Sequence, residues 1–354
     1  CARNWIARQY DHEVQGGSVI KPLVGRRGDV PSDAVVTRPV LGSHRGIAAS
    51  QALNPFYSRI DTYAMTAVTV DEALRRVLAV GGDPTQVGGV DNFCWPTIQY
   101  DPESNPDGRY KAAQLVRSNW ALRDLCRAYE IPLLSGKDSM YIDGNLKGPY
   151  EETRKVSGLP TLLFTASSVV EDVRNCLTMD AKEAGDLVYV VGKTRDELGG
   201  GELYQMMGEV GLNVPRVDPA ALAELYRTFH AAVERGLLAS AHAVARGGLA
   251  VHLALVAMAG ELGMELDLPA VPVSEPLPPF RILYSESAGR FVCTVAPANR
   301  EAFEGLLSGQ PAARIGRVTG EGRLVVRGEG GDPLIDEPVQ DLKARWMNPF
   351  GGLV

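Results

Sequence analysis

The feature that most constrains the fold is a succession of apolar and amphipathic stretches. It runs through the first part of the 354 residues and then begins again. Residues 62–80 have apolar side chains at helical spacing and are followed by Gly-Gly-Asp-Pro, which predicts a helix with a defined end. Residues 160–170 are strongly apolar and predict a buried strand. Because the order restarts near residue 178, the sequence predicts an α/β fold, with mixed sheets of the α+β type, in two domains, 1–178 and 179–354.

The other elements follow from the same apolar spacing and from turn residues. In the first domain we predict strands at 18–24, 33–37, 86–92 and directly before Gly136, a helix at 111–129, and a polar hairpin or loop at 141–157. In the second domain we predict helices from 202 and at 219–235, 249–259 and 300–307, and strands at 186–191, 238–241, 265–268, 281–284, 290–295, 313–318 and 324–327.

Charge and cysteine usage exclude several classes of function. The net charge of −7 argues against a nucleic-acid groove or an anionic membrane surface as partner. The five cysteines form no CxxC pair, which favours reduced thiols over disulfides or a zinc site. The sequence has no signal peptide and no apolar run long enough to cross a bilayer. We therefore expect a cytoplasmic protein, and the start at Cys1 suggests a piece of a longer polypeptide.

Three glycine-containing turns have the composition of phosphate-binding loops. Residues 136–139 follow an apolar stretch and contain Lys137 and Ser139, which offer a cation and a hydroxyl group. Residues 199–201 and 247–248 each follow a predicted strand and precede a helix, whose N-terminal amides attract anions. The alternative is that glycine only shapes tight turns at these places. Both interpretations stay open at the level of the residues.

Three carboxylates lie at positions from which a magnesium–phosphate site is commonly built. Asp33 begins a predicted strand, Glu72 lies on a predicted helix, and Asp91 ends a predicted strand. Oxygen ligands from separate elements suit magnesium, although each residue is also typical of a solvated surface acid. The five histidines show no metal-ligand spacing. His252 lies within an apolar helix, which favours a hydrogen-bonded core residue.

Six phrases in the sequence together resemble one family. They are YDHEVQG at 10–16, VDEALR at 70–75, DNFCW at 91–95, SGKDSM at 135–140, DELGG at 196–200 and YSES at 284–287. In this order they resemble the second half of the synthetase portion of phosphoribosylformylglycinamidine synthase, of the aminoimidazole ribonucleotide synthetase-like superfamily. The resemblance covers almost the whole chain, and the combination of phrases is specific.

The resemblance implies an ATP-dependent C–N ligase of de novo purine biosynthesis, which converts formylglycinamide ribonucleotide to formylglycinamidine ribonucleotide. In that family ATP activates the amide oxygen of the substrate, and ammonia then displaces phosphate. The N-terminal domains of the two halves pair through their sheets. The catalytic histidine belongs to the first half, so this chain is expected to contain no catalytic residue and to be inactive alone. Implied partners are the first half and a glutaminase domain or subunit that supplies ammonia.

The resemblance also implies binding residues. Asp91, Gly136, Lys137 and Ser139 are expected near nucleotide or substrate, and the turn containing Gly199 and Gly200 is expected to contribute as well. Large members also have an auxiliary nucleotide–magnesium site. Its ligands correspond to four positions, which are here Asp33, Glu72, Arg76 and Ala243.

This sequence departs from the family pattern around that auxiliary site. Arg76 replaces an asparagine, Ala243 and Ala245 replace aspartate and serine, and Leu255 replaces a glutamate. Since a guanidinium group has only donors, it cannot bind magnesium. We therefore predict that the metal cluster is lost and that Arg76 instead forms an ion pair with Asp33 or Glu72.

Two alternatives to a catalytic half stay open. The chain could be a self-contained homodimeric ATP-dependent enzyme similar to aminoimidazole ribonucleotide synthetase, or a degenerate half that only supports its partner. When isolated, we expect the chain to pair with itself through the strands near 18–24, 33–37 and 86–92, since an apolar sheet face would otherwise be exposed.

Overall fold

Two mixed β-sheets organise the computed structural model, which describes residues 1–12, 14–150 and 152–348. Glu13 of the YDHEVQG phrase, Glu151 of the predicted hairpin and residues 349–354 lie outside these ranges. The α/β fold class with mixed sheets is confirmed. The strands of the first sheet lie between residues 18 and 170 and those of the second between 187 and 338. The domain boundary at residue 178 stays a prediction.

The strands of the first 178 residues are β1 Ser18–Ile20, β2 Leu23–Val24, β3 Val30–Pro31, β4 Val35–Thr37, β5 Gly46–Leu53, β6 Val87–Trp95, β7 Leu133–Met140, β8 Asp143–Lys147, β9 Thr153–Ser157 and β10 Thr161–Val170. The helices are α1 Asn4–Ala7, α2 Thr62–Ala79 and α3 Gly108–Ala128. The first sheet has the order β1-β4-β5-β10-β6-β7. Its pairs are antiparallel except for β6 and β7, which are parallel. β2 pairs with β3, and β8 pairs with β9.

The later strands are β11 Leu187–Val191, β12 Ser240–Ala243, β13 Gly263–Asp267, β14 Phe291–Val295, β15 Ala312–Thr319, β16 Arg323–Arg327 and β17 Pro333–Pro338. The later helices are α4 Glu202–Met206, α5 Pro219–Glu234, α6 Gly248–Gly260, α7 Pro279–Tyr284, α8 Arg300–Leu306 and α9 Val339–Met347. The second sheet has the order β12-β14-β11-β15-β13-β16-β17. Within the described part of the chain, β13 and β16 form its only parallel pair, and its other pairs are antiparallel.

Helix α2 is the central element of the packing. The Asp61 side chain caps its start by accepting a hydrogen bond from the Tyr63 amide at 2.8 Å. The helix ends before Gly81, whose φ of 108° is open mainly to glycine. Nearly every residue of α2 is buried, because it packs on β5 and β10, on α3 and on β12 of the second sheet. Polar side chains of α2 are therefore forced to find partners inside the protein.

The opposite face of the first sheet is open. Burial alternates along β5 and β10, so that every second side chain is more exposed. Ile47 and Leu53 on β5 are among the exposed large apolar side chains. None of the helices in the described part of the chain is long and apolar enough to cross a membrane.

Several predicted elements need correction. The polar turn predicted at 136–139 is wrong, because β7 continues through it as the edge strand. The strand predicted at 281–284 is wrong, because these residues belong to helix α7. Pro279 at the first helical position favours this helical turn. The strand predicted at 18–24 is divided into β1 and β2 around Pro22. Strands β5 and β17 and helix α9 were not predicted.

Candidate functional site

The first candidate site, here called the strand-edge strip, consists of Asp91 on β6 and Gly136, Lys137 and Ser139 on β7. In the parallel register Asp91 lies opposite Gly136, and Ser139 lies opposite Cys94. A Cβ atom at position 136 would lie 2.9 and 3.0 Å from the two carboxylate oxygens of Asp91. Glycine is therefore required for Asp91 to lie against β7. These four predicted residues are brought together on neighbouring strands.

The strip contains a cation, a hydroxyl group and a carboxylate, which are groups that can bind a polar ligand. Lys137 is exposed, and its ammonium group donates a hydrogen bond to the Ser139 hydroxyl. Burial raises the pKa of Asp91, and the nearby charge of Asp138 raises it further. Because successive side chains alternate between the faces of a strand, Lys137 and Ser139 share one face of β7, whereas Asp91, level with Gly136, lies on the other. The cation and the hydroxyl can contact the phosphate or hydroxyl groups of a ligand on their own face.

Gly199 and Gly200 belong to a different place, the turn that precedes α4. The Gly199 amide donates to the Asn213 carbonyl oxygen at 2.9 Å, and the Gly200 amide donates to that of Val210 at 2.7 Å. A phosphate at this turn would have to replace these bonds. The binding role of the two glycines stays a prediction that the hydrogen bonding does not favour.

The second region, here called the polar joint, connects the first 178 residues to the second sheet through Asp33, Asp71, Glu72, Arg75, Arg76, Tyr226, His242 and His252. Asp33 lies two residues before β4, and its Oδ2 is 2.7 Å from Nδ1 of His242 on β12. Asp33 Oδ1 accepts the Ala243 amide at 3.1 Å. His242 Nε2 lies 2.7 Å from Nδ1 of His252 on α6. Three side chains from three elements thus form one buried chain.

The donors along this chain are fixed by its last member. The Ala245 amide can only donate, and it lies 2.9 Å from Nε2 of His252. Nε2 of His252 therefore accepts, Nδ1 of His252 donates to His242, and Nδ1 of His242 donates to Asp33. Burial, followed by the neighbouring His242 and Arg76, lowers the pKa of His252 well below its ordinary value. The expectation that His252 is a hydrogen-bonded core residue is confirmed.

The predicted ion pair of Arg76 is present, and its partner is Glu72. Arg76 Nη2 lies 2.6 Å and Nε lies 2.9 Å from Glu72 Oε1, while Asn54 Nδ2 donates to Oε2 at 2.9 Å. Burial alone would raise the pKa of Glu72, but Arg76, Asn54 and Arg75 lower it overall. The carboxylate is therefore held in its charged form inside the protein.

The residues present do not fit a magnesium site at Asp33 and Glu72. Each oxygen of both carboxylates already accepts a hydrogen bond. Position 76 supplies a cation and position 243 an apolar side chain. Within residues 1–12, 14–150 and 152–348, no three His, Cys, Asp or Glu side chains are grouped so that they could hold a metal ion. Metal binding by these two residues stays a prediction without support from the geometry.

The joint also contains a network that sequence reasoning missed. Asp71 accepts hydrogen bonds from Arg75 Nε at 2.6 Å, from the Tyr129 hydroxyl at 2.9 Å and from the Tyr226 hydroxyl. Arg75 in turn donates to the Val244 carbonyl oxygen at 2.5 Å. The spacing of Asp71 and Arg75 on a helix was a usable signal for their pair. The sequence contains no signal for the two tyrosines, because they come from other elements.

A fold of two mixed sheets joined by a buried polar layer is similar to that of proteins related to aminoimidazole ribonucleotide (AIR) synthase. Residues 183–329 match the family model described as AIR synthase related protein, C-terminal domain. A curated relative, the phosphoribosylformylglycinamidine synthase subunit PurL of Thermoplasma acidophilum, is 30% identical over 347 residues, which cover 98% of this chain and 42% of the relative. The chain is therefore similar to PurL over nearly its whole length and to AIR synthase-related proteins over residues 183–329.

Solved structures agree on the fold. A structure of Thermotoga maritima PurL, described as complexed with FGAR, has a TM-score of 0.70 at 20% identity and covers 96% of this chain and 50% of that one. A structure of a HypE–HypF complex has a TM-score of 0.62 at 14% identity and covers 87% of this chain and 93% of that one. The chain therefore spans half or less of the length of these PurL relatives, but most of the length of the chain matched in the HypE–HypF structure.

Proposed function

We propose that the chain is the second half of an ATP-dependent amidoligase, which converts formylglycinamide ribonucleotide to formylglycinamidine ribonucleotide in de novo purine biosynthesis. The observation that carries this proposal is the match to PurL, which includes 98% of this chain but only 42% of the relative. On this proposal the chain contributes nucleotide- or substrate-binding surface and scaffold rather than the catalytic histidine. A pathway of this kind places the protein in the cytoplasm.

ATP is the proposed cofactor. Structures of Thermotoga maritima PurL are described as complexed with FGAR, with ADP and with ATP. In this chain the strand-edge strip fits such ligands, because Lys137 offers a charge for phosphate and Ser139 a hydroxyl. When bound, ATP would supply the phosphoryl group that activates the substrate. We assign no role to magnesium at the polar joint, because the residues there do not fit it.

The proposed partners follow from the length of the relatives. The polypeptide equivalent to their other half would complete the active site, and a separate glutaminase would supply ammonia, in keeping with a structure described as PurLQS from Thermotoga maritima. Residues 1–178 and 179–354 are the proposed domains, each containing one large sheet. In isolation, the open face of the first sheet would pair with a second copy, since it exposes Ile47 and Leu53.

Calorimetric titration of the isolated chain with ATP and ADP, with and without magnesium, tests the proposal. We expect nucleotide binding that Lys137→Ala weakens about tenfold or more, because a charge-assisted phosphate contact contributes at least about 1.4 kcal/mol. Lys147→Ala is the matched control, since this lysine is also exposed and lies on the neighbouring β8. We also expect no turnover of formylglycinamide ribonucleotide by the chain alone.

The two alternatives predict different results. A self-contained enzyme would turn over substrate without any partner. A purely structural half would bind no nucleotide, even when the polypeptide equivalent to the other half is added. Equal weakening by Lys137→Ala and Lys147→Ala would show that the strand-edge strip is not the nucleotide site.

A further inference from the structure

A further buried carboxylate, that of Glu286, accepts hydrogen bonds from three segments that are distant in the sequence. The side chain follows α7 and is only 3% exposed. Its Oε1 accepts the backbone amides of Glu202 and Gly247, each at 2.7 Å. Its Oε2 accepts the hydroxyl of Tyr57. Both oxygens of Glu286 are therefore engaged, although the residue has no role in the strand-edge strip or in the polar joint.

The three donors belong to segments that lie far apart in the sequence. Glu202 opens α4 after the glycine turn 199–201, and Gly247 precedes α6 with a φ of 91°. Tyr57 lies in the 3₁₀ turn Pro55–Arg59 of the first 178 residues and is 2% exposed. A single carboxylate thus connects the glycine turns before α4 and α6 to the 3₁₀ turn Pro55–Arg59.

Gly200 and Gly201 lie so close to Tyr57 and Glu286 that there is little room for a side chain at either position. A Cβ atom at Gly201 would lie 2.9 Å from Glu286 Cδ and 3.0 and 3.1 Å from its oxygens. A Cβ atom at Gly200 would lie 2.9 Å from Tyr57 Cδ1. Glycine at both positions is explained by the approach of internal side chains, so no external phosphate is needed to account for them.

We propose that Glu286 acts as an internal anion: its carboxylate occupies a carboxylate-binding site formed by the amides of Glu202 and Gly247 and the hydroxyl of Tyr57, and thereby holds the glycine turns against the 3₁₀ turn Pro55–Arg59. Backbone amides can only donate, and a carboxylate is an acceptor with two oxygens, so the two match. This role goes beyond the proposed ligase function and does not depend on it. It also implies that shortening the side chain creates a vacant site for a free carboxylate of similar size.

Chemical rescue tests the proposal. We expect Glu286→Ala to lower Tm strongly, because the two amides and the hydroxyl lose their acceptor inside the protein. Sodium formate or acetate, compared with sodium chloride at equal ionic strength, should then raise the Tm of this variant. At concentrations about ten times the Kd of the anion, we expect a rise of roughly 2–4 °C. The wild-type chain should show no difference between formate and chloride.

Glu304→Ala is the matched control. Glu304 also accepts a tyrosine hydroxyl, from Tyr189 at 2.8 Å, but it is half-buried, and its other hydrogen-bond donor among the residues that the structure describes is the Arg300 side chain rather than a backbone amide. Formate should not rescue this variant. An equal response of both variants to formate would overturn the proposal, as would a Glu286→Ala chain as stable as wild type. A larger rescue by inorganic phosphate than by formate would show a phosphate site instead and would equally overturn it.

Two milder variants cover the case in which Glu286→Ala does not fold. Tyr57→Phe removes one donor and leaves both amides bonded, so we expect a small fall in Tm. Glu286→Gln keeps the shape of the side chain but points its amide NH₂ group towards hydrogen-bond donors, so we expect a larger fall in Tm. The reverse order, with Tyr57→Phe the more damaging, would show that the tyrosine rather than the carboxylate is the centre of this contact and would overturn the proposal.

Discussion

The strand-edge strip and the polar joint contain similar side chains in opposite states. In the joint, the carboxylates of Asp33, Asp71 and Glu72 are buried, and each already accepts hydrogen bonds from within the chain. In the strip, Lys137 is exposed, and within the described part of the chain its ammonium group donates a hydrogen bond only to the nearby Ser139 hydroxyl. A polar group with all its bonds satisfied stabilises the fold, whereas one that is left open is available to a ligand.

The comparison explains why the two sets of predicted site residues have different outcomes. The carboxylates assigned to a metal, Asp33 and Glu72, lie in the joint. Their oxygens already accept hydrogen bonds from His242 and Arg76, in place of a metal.

Of the residues assigned to nucleotide, Lys137 and Ser139 lie in the strip and bond only to each other among the side chains that the structure describes, whereas the amides of Gly199 and Gly200 already have internal partners. Substitutions in the joint should therefore change stability, and those of Lys137 and Ser139 in the strip should change binding.

The largest effect is expected from Asp71→Asn. This change leaves the Arg75 guanidinium, which is 1% exposed, without its carboxylate partner, and breaking a buried pair costs about 3–5 kcal/mol. Urea unfolding of the two chains measures the loss. Asp124→Asn is the control, because Asp124 also bonds an arginine and a tyrosine but lies nearer the surface. Equal losses for the two variants would contradict the difference between buried and exposed carboxylates.

A smaller loss is expected from Arg76→Asn, which restores the residue that the family pattern has at this position. Arg76 is 31% exposed, so removing its bonds to the buried Glu72 should cost about 1–3 kcal/mol. We also expect no magnesium binding by this variant in calorimetry, because His242 and the Ala243 amide still engage Asp33. Stabilisation of Arg76→Asn by magnesium would show that the arginine alone blocks a metal site. Arg174→Ala, at an exposed ion pair, should change stability by less than about 1 kcal/mol.

Acid should weaken the joint through His252. The pKa of this residue is lowered in the folded chain from its ordinary 6.5 by burial and then by His242, Arg76 and Arg290. A group with a depressed folded pKa contributes its full stability above about pH 6.5 and loses it as pH falls, because the unfolded chain takes up the proton first. The Arg246 carbonyl oxygen, 3.2 Å from Nε2, offers some compensation to the charged form.

The expected size is up to about 1.4 kcal/mol per pH unit below pH 6.5. Urea unfolding at pH 7.5 and pH 5.5 measures it, and His252→Gln should reduce this pH dependence. His44→Gln, at an exposed position, serves as the control. An unchanged pH dependence in His252→Gln would remove His252 as the group responsible.

Local patterns in the sequence predicted much of the fold and part of the sites. Helix α2 and strand β10 follow from apolar spacing. An ion pair of Arg76 with Asp33 or Glu72 was expected from the departure from the family pattern, and the partner present is Glu72, four residues away on the same helix. The chain of Asp33, His242 and His252 could not be predicted, because its first two members are 209 positions apart and meet only through tertiary packing. Strand β7 was mistaken for a turn because glycine and charged residues suit a turn, and an exposed edge strand accepts the same residues.

The smallest effect on stability is expected from Gly136→Ala in the strip. The new Cβ would meet the Asp91 carboxylate at 2.9 Å, but that side chain is half-buried on an edge pair and can move. Alanine in place of glycine in a strand otherwise adds roughly 0.5–1 kcal/mol of stability, so the net change should stay within about 1 kcal/mol. The new methyl group and Asp91 lie on the opposite face of β7 from Lys137 and Ser139, so a nucleotide held by Lys137 and Ser139 should bind with nearly unchanged affinity.

Gly144→Ala on β8 is the matched control, since nothing lies within 4 Å of its Cβ position. It should be neutral or slightly stabilising in urea and should leave nucleotide affinity unchanged. If Gly136→Ala instead destabilised the chain as much as Asp71→Asn, the strip would be packed structure like the joint. The distinction between satisfied and open polar groups would then not separate stability from binding in this protein, and the assignment of nucleotide to Lys137 and Ser139 would lose its physical basis.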